Sequence, residues 1–289
     1  MPTESISMNL VQLISDVASR ALDQAHSIAL VALPLLFVTL IGSSGKFFSV
    51  LRQTYAASTR VNVLTYLFDL VVMSAPFSLL SWWVVDRLAK PDATGALEGL
   101  GLPAWALIGL ALWAGDGVSY FRHRLEHSKW LWPSHAMHHS DESMNCLTIL
   151  RFHPINRVTT IAIDLGALLL MGFPFWAAAA SMTVRHYYGI FVHANVPWTL
   201  GPLGYVFVSP AMHRWHHVRE GQGVGSNFSS VFSMFDRLFG TYYCPGPCNA
   251  PLGVEGVHSQ SFTAQLIEPF VIPFRRMARS KLQADRDKA

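Results

Sequence analysis

Long apolar runs dominate the first two thirds of the chain and predict membrane-spanning helices. Three runs, 27–45, 63–85 and 102–121, are each close to the ~20 residues that cross the hydrocarbon core of a bilayer. A fourth apolar region, 158–192, is interrupted by the sequence GFP and predicts a helical hairpin that turns at Pro174. The pattern therefore predicts an all-α integral membrane bundle of three long transmembrane helices and a helical hairpin.

The two ends of the chain are more polar than its centre. Residues 5–24 have the pattern of an amphipathic helix, so we expect the first 25 residues to lie on the membrane surface. After residue 193 the chain becomes rich in polar and loop-forming residues, and with the histidine-rich segment it is expected to form a cap outside the bilayer. No repeat or linker divides the sequence, so we expect residues 1–289 to form a single membrane-embedded domain.

Charge is sparse and sets the expected orientation. Only 13% of the residues are charged and the net charge of +3 is spread along the chain, which argues for a membrane protein and against nucleic-acid binding. Lys and Arg are more frequent in 44–62, in 122–157 and after 274 than in 86–100. By the positive-inside rule the cap faces the cytoplasm. We expect a multi-pass protein of the bacterial inner membrane, or of the ER membrane in a eukaryote.

Histidines are concentrated beside the third apolar run. Eight of the 13 fall into two windows, 123–139 and 213–217. The sequence HRLEH places two imidazoles four residues apart, and the pattern H-x2-HH occurs twice, as HAMHH and HRWHH. On a helix, positions i, i+3 and i+4 share a face, so each of these boxes presents two or three imidazoles on one side. The eight predicted metal ligands are His123, His127, His135, His138, His139, His213, His216 and His217.

Eight imidazoles are too many for one ion and fit two metal ions that share a cavity. Imidazole suits zinc, copper, iron and nickel, and a structural zinc site would close with four ligands. The residues by themselves therefore leave the identity of the metal open. Three matched spacings argue against the simpler interpretation of solvated surface histidines or a proton relay.

The three boxes resemble those of the membrane fatty acid hydroxylase/sterol desaturase superfamily, and the likeness covers about 116 to 243. GDGVSYFRHRLEH resembles the superfamily's acidic residue and first box, and MHHSDESMNCLTILRFHP its second box. FVHANVPWTLGPLGYVFVSPAMHRWHH resembles its lone histidine and third box, and SNFSSVFSMFDRLFGTYY the segment that closes the site. Where the family often has Asn-Tyr-Gly, this chain has Asn227-Phe228-Ser229. The pattern is specific for the superfamily and says little about the substrate.

The resemblance implies a catalytic region with two iron ions, which activate O2 as co-substrate and hydroxylate an aliphatic or sterol-like lipid. It also implies that His193 is a ninth metal ligand and that Asn227 belongs to the site. The sequence has no flavin or nicotinamide fingerprint. Electrons are therefore expected from a separate donor of the ferredoxin, rubredoxin or cytochrome b5 type.

Two carboxylates outside the boxes are candidates for supporting roles. Asp116 lies seven residues before His123 on the same helix face, and a carboxylate within a membrane helix is costly. We therefore expect Asp116 to accept a hydrogen bond from a ligand ring and to fix its tautomer. Asp236 is a similar candidate unless it pairs with neighbouring Arg237. The sequence leaves three further polar residues unassigned: His153, His186 and Asp164.

Other activities remain open at this level. The same iron chemistry serves a lipid hydroxylase, a lipid desaturase and an ether-lipid monooxygenase, and the boxes do not separate them. An alternative of another class is a zinc-dependent membrane hydrolase, which metal analysis would distinguish. A metal transporter is disfavoured, because the boxes lie at a membrane face and not at the midplane of paired broken helices.

Overall fold

The computed structural model describes residues 57–89, 95–257 and 260–271, and Leu33 by itself. Within these ranges the chain is helical, with two isolated β-bridges and no strand. The predicted all-α class is confirmed for this part of the chain. The predicted surface helix at the N-terminus, the first apolar run at 27–45 apart from Leu33, and the basic C-terminal tail lie outside the described residues.

The first described element is one long, continuous helix. It consists of α1 (Ala57–Phe68), a π-helical turn (Asp69–Met73) and α2 (Ser74–Leu88), and it contains the second predicted apolar run. Between Thr59 and Leu88 it is long and apolar enough to cross a membrane, and it is the one such helix among the residues described. The three transmembrane helices predicted from the sequence are thus not all established.

Many apolar side chains of this helix point away from the rest of the protein, although Val61 and Val84 are buried. Val71, Leu79 and Trp82 are 67%, 67% and 65% exposed. A helix that contributed these residues to a core would bury them, whereas a helix that faces lipid would not. The exposure therefore supports a membrane setting for this element.

The third apolar run forms α3 (Ala104–Glu126), which packs along the second arm of the predicted hairpin. The first arm contains α5 (Pro154–Thr159), a π-helical turn (Thr160–Leu165) and α6 (Gly166–Leu170), and the second arm is α7 (Phe175–Val192). The chain reverses between the arms at Gly172, whose φ of +86° is readily adopted by glycine. The hairpin that was predicted from the GFP break is present.

Short helices carry the second and third histidine boxes and lie at one end of α3 and α7, where α3 ends with the first box. They are α4 (Trp132–His139) and α8 (Pro210–His216), and α9 (Met234–Leu238) and a further helix, α10, at 262–271 follow. His127 and His193 are the C-terminal caps of α3 and α7. The opposite end of this helix pair packs against a buried apolar cluster that includes Leu107, Leu168 and Ala177. The fold thus separates an apolar end from a histidine-rich end.

Candidate metal centre

The structure brings all nine predicted histidines together as two adjacent buried groups. In each group one ring nitrogen from every histidine lies within 4.8 Å of those of the others. The five-histidine cluster contains His123, His127, His135, His139 and His216. The four-histidine cluster contains His138, His193, His213 and His217.

Each H-x2-HH box is divided between the two clusters. In α4 the i, i+4 pair, His135 and His139, points to the five-histidine cluster, and His138 points to the other. In the third box, at the end of α8, His213 and His217 belong to the four-histidine cluster. His216 belongs to the five-histidine cluster. The boxes lie on the expected sides of their helices, but no box by itself forms one metal site.

Backbone carbonyls fix the tautomer of four of these rings. Nδ1 of His123 donates to the Phe228 carbonyl at 2.8 Å, and Nδ1 of His216 donates to the Ser226 carbonyl at 2.5 Å. In the other cluster His138 donates to the carbonyl of Arg151 at 3.2 Å and His193 to that of Gly189 at 2.6 Å. A carbonyl only accepts, so the proton of each neutral ring is on Nδ1 and the Nε2 lone pair faces the cluster.

Two close contacts between these rings cannot be hydrogen bonds. Nε2 of His123 lies 3.0 Å from Nε2 of His216, and Nε2 of His138 lies 3.2 Å from Nε2 of His193. Since all four nitrogens are acceptors in the neutral rings, lone pair faces lone pair in both contacts. A shared cation removes this repulsion, and imidazole donors suit divalent transition metals such as iron or zinc. The residues therefore fit one metal ion in each cluster.

Burial keeps these imidazoles neutral. It lowers the pKa of His193 to about 4 and lowers the pKa values of His213 and His216 well below their ordinary range. Neighbouring imidazoles add to the lowering for His213. A neutral imidazole is the form that binds a metal ion, so the rings are ready to act as ligands at neutral pH.

The carboxylate of Asp116 is buried and touches the backbone of residues 226–232, which we call the bracket loop. Its oxygens accept from the amides of Ser230 at 3.2 Å, Val231 at 3.0 Å and Phe232 at 2.7 Å. The expected hydrogen bond from a ligand ring to Asp116 is therefore wrong, because the nearest ligand on α3, His123, uses the bracket loop instead. Desolvation drives this outcome, since three amides can satisfy a buried carboxylate better than one imidazole.

Asp236 and Asn227 hold the same loop from other sides. Asp236 accepts from the amides of Phe228 at 2.7 Å and Ser229 at 2.9 Å, and it makes no ion pair with Arg237 among the described contacts. Asn227 has a left-handed backbone with φ of +60°. Its side-chain amide donates to the carbonyls of Met212 and Tyr243 at 2.8 Å and 2.6 Å. Asp116 and Asp236 thus bind, and Asn227 belongs to, the loop whose carbonyls hold His123 and His216.

A buried ion network next to the clusters was not foreseen. Asp164 accepts from Arg122 Nε at 2.7 Å and from Arg185 Nη1 at 2.7 Å, so the carboxylate that the sequence left without a partner has two. Arg122 also pairs with Glu126, at 2.9 Å. A Glu126 oxygen lies 3.4 Å from Nδ1 of His135. The available signal was the i, i+4 spacing of Arg122 and Glu126 within a sparsely charged chain.

The two unassigned histidines lie outside both clusters. His153 caps α5, because its Nδ1 accepts from the amide of Ile155 at 3.1 Å, and its Nε2 donates to the carbonyl of Leu266 at 3.0 Å. Both ring nitrogens are therefore occupied in holding the chain. His186 lies seven residues, or about two turns, before His193 along α7 and lines a cavity beside the clusters.

That cavity has a volume of about 220 Å³. Histidines of both clusters line it, among them His123, His135, His138, His193 and His213. Its other walls combine the ion network with apolar groups such as Ile149, Phe152 and Met182. A small organic group in this space would meet both clusters and the charged side chains together.

Comparison with known proteins agrees with this arrangement. Residues 108–241 match the fatty acid hydroxylase family. The chain is 34% identical over 153 residues to an ornithine lipid hydroxylase of Rhizobium tropici, which is 52% of this chain and 46% of that protein. The resemblance to the fatty acid hydroxylase/sterol desaturase superfamily is confirmed.

Two further relatives belong to animals and plants. An alkylglycerol monooxygenase of Homo sapiens is 32% identical over 43% of this chain and 27% of its own length. A methylsterol monooxygenase of Arabidopsis thaliana is 28% identical over 44% of each chain. The matched region spans less than half the length of each of these three relatives. No solved structure matches the chain.

Proposed function

Because residues 108–241 match the fatty acid hydroxylase family, we propose that this protein is a membrane di-iron oxygenase that hydroxylates a lipid. The observation that carries the proposal is the pair of facing Nε2 atoms in each histidine cluster, which calls for a cation in both. Hydroxylation consumes one substrate C–H bond, O2, two electrons and two protons, and it yields an alcohol and water. Two bound iron ions would supply the redox chemistry that activates O2.

The nine histidines are the proposed ligands. Carbonyls of the bracket loop hold the rings of His123 and His216 at fixed angles, and carbonyls in α7 and after the second box hold those of His193 and His138. Asp116, Asn227 and Asp236 then act as positioning residues, since the two carboxylates bind the bracket loop and Asn227 ties it to Met212 and Tyr243. None of the three contacts a ligand ring among the described hydrogen bonds.

The electrons are proposed to come from a separate donor of the ferredoxin, rubredoxin or cytochrome b5 type.

The protein is proposed to be multi-pass, in a bacterial inner membrane or in the ER membrane. Its histidine-rich end would face the cytoplasm, and residues 1–289 would form one domain. The exposed apolar side chains of α2 support the membrane setting. The ~34 Å length of α3, at 1.5 Å per residue, is enough to separate the apolar end from the histidine end by the thickness of a bilayer.

Oxidation of an ether lipid is a second candidate for the same site. It is favoured by the similarity to alkylglycerol monooxygenases, and it differs from chain hydroxylation only in which carbon meets the clusters. Desaturation uses the same site but removes two hydrogens from the lipid.

Comparative lipid mass spectrometry tests these proposals. Cells with and without the gene should differ in a lipid that gains one oxygen atom, whereas a desaturase would produce a lipid that lacks two hydrogens and an ether-lipid monooxygenase would deplete an ether lipid. Metal analysis of protein purified under reducing conditions should give two iron ions per chain. One tightly bound zinc ion and hydrolysis of an ester or amide would instead identify a zinc hydrolase.

A further inference from the structure

The cavity beside the histidine clusters contains a hydrogen-bond donor that the protein does not satisfy. Arg185 lines this cavity and is 8% exposed. Its Nη1 is bound to Asp164 at 2.7 Å, but its Nε has no hydrogen-bond partner among the described residues. A buried N–H group that lacks an acceptor is costly, so this donor is expected to meet an acceptor that enters the cavity.

The charges around the cavity determine the kind of acceptor. Arg122 and Arg185 are balanced by Asp164 and Glu126. The third arginine that lines the cavity, Arg157, pairs with an aspartate on the first π-helical turn at 3.2 Å. An anionic group would therefore enter a buried space without a spare positive charge, at a large desolvation cost. A neutral oxygen, as in a hydroxyl, ether, ester or amide, satisfies the Arg185 donor without that cost.

The size of the cavity places this acceptor near the reacting carbon. At about 220 Å³ the cavity is smaller than the roughly 300–1,000 Å³ of pockets that enclose a drug-sized ligand, so it holds only part of a long-chain lipid. Arg185, Gly189 and His193 follow each other at four-residue spacing on α7, and all three line the cavity. One short fragment of the lipid must then contact both Arg185 and the histidine clusters.

We propose that Arg185 binds a neutral oxygen of the lipid substrate through its Nε, and that the enzyme oxidises a carbon a few bonds from that oxygen. This inference rests on the proposed lipid oxygenase function and specifies its substrate class. The substrate is an oxygen-bearing lipid oxidised near its polar end, and an unsubstituted hydrocarbon end is not the point of attack.

Lipid binding to the metal-free protein in detergent tests the proposal without turnover. Radiolabelled 1-hexadecanol is retained on immobilised protein and displaced by unlabelled 1-hexadecanol, hexadecane or hexadecyl phosphate. We expect 1-hexadecanol to displace the label at about tenfold lower concentration than either competitor, as expected for one hydrogen bond to a charged donor. Equal displacement by hexadecane, or stronger displacement by the phosphate, would overturn the proposal.

Two matched variants assign the preference to one side chain. Arg185→Lys keeps a cation for Asp164 but removes the Nε donor, and we expect it to lose the preference for the alcohol. Arg122→Lys is the control, because it makes the same substitution in the other arginine that binds Asp164. The donors of Arg122 are already engaged with Asp164, Glu126 and Ser119, so the preference for the alcohol should remain in this variant. Retention of the preference in Arg185→Lys, or its loss in both variants, would refute the role of Arg185.

The two ion-pair variants are compared only if both elute as single species and unfold cooperatively. If Arg185→Lys does not fold, the double variant Arg185→Gln with Asp164→Asn replaces the ion pair by a neutral pair and takes its place.

Product analysis on the iron-loaded enzyme separates this inference from the function. A hydroxylated lipid without any preference for the alcohol would refute the inference alone. Arg185-dependent binding without any oxidised product would refute the oxygenase function and leave the binding site standing.

Discussion

The backbone amide of Val231 donates to Oδ1 of Asp116 at 3.0 Å, across 115 positions of the sequence. This bond fastens the bracket loop to α3. The same loop supplies the carbonyls of Phe228 and Ser226, which hold the rings of His123 and His216. Asp116 therefore acts on the five-histidine cluster through the backbone of another segment.

Replacement of Asp116 by Asn should weaken the site without abolishing it. An amide side chain has one acceptor oxygen for three backbone amides, and its own NH2 group would face one of them. The bracket loop should loosen, and metal affinity or turnover should fall about 10–100-fold, as for other residues that orient metal ligands. Metal content and product formation would be measured at equal expression. An unchanged metal affinity and melting temperature would show that the loop is held without this carboxylate.

His139→Ala is the matched comparison for Asp116→Asn. His139 is one of the five ring donors, so its loss should remove nearly all turnover and the metal of its cluster. Near-wild-type activity in this variant would mean that the boxes are not the catalytic site.

Local spacing predicted which histidines come together, because an i, i+3, i+4 pattern on a helix fixes directions within one turn; that they bind metal stays a prediction. It predicted that the histidines of each box lie on one side, and the structure agrees. It could not predict that His138 and His139 serve different clusters, because that depends on how α4 packs against α3 and α5. The hairpin was likewise predicted from a local signal, the GFP break.

Tertiary partners were not predictable from spacing. Asp164 binds Arg122 and Arg185, which lie 42 and 21 residues away in the sequence. Its carboxylate is on a π-helical turn that the residue pattern did not predict. Asp116 was recognised as costly within an apolar helix, but its partner was wrongly expected on the same helix. A buried carboxylate takes whichever donors the fold brings to it, and here these came from a distant loop.

Asn227 combines a left-handed backbone with three side-chain hydrogen bonds, and two variants separate these contributions. Asn227→Gly loses the hydrogen bonds but tolerates φ of +60°, whereas Asn227→Ala also strains the backbone. We expect the Ala variant to be less stable than the Gly variant by about 1 kcal/mol. The free energy of unfolding in denaturant, measured in detergent, gives the difference. Equal stability would show that the loop relaxes away from this conformation.

The metal-free protein should lose stability as the pH falls from about 6.5 to about 4. His193 has a pKa of about 4 in the folded protein because of burial, against about 6.5 in an unfolded chain. Between these values the unfolded state binds more protons, so protonation favours unfolding. Melting temperatures of the metal-free protein at pH 7.5, 6 and 5 should decrease in that order, and the metal-loaded protein should retain less metal over the same range. A melting temperature that rises as the pH falls would contradict the buried neutral state.

The orientation in the membrane can be tested with two exposed positions at opposite ends of α3. Gly99→Cys is suitable because a side chain there meets no other atom, and Gln222→Cys is exposed near the histidine-rich end. The background variant is Cys244→Ser, since Cys146 and Cys248 are buried. In intact cells an impermeant thiol reagent should label residue 99 and not residue 222. The reverse pattern would place the histidine-rich end outside.

The division of each H-x2-HH box between two clusters predicts the metal content of single variants. His138→Ala removes one of four ligands from the four-histidine cluster and leaves the five-histidine cluster intact. His135→Ala, in the same box, removes a ligand from the other cluster only. If each cluster holds one ion, the wild type should contain close to two metal ions per chain and each variant close to one, and a double variant should contain almost none. Metal analysis by plasma mass spectrometry, on protein of equal purity, gives these numbers. Loss of both ions in either single variant would show that the two clusters bind metal as one coupled unit, while retention of two ions in both would show that these rings are not ligands.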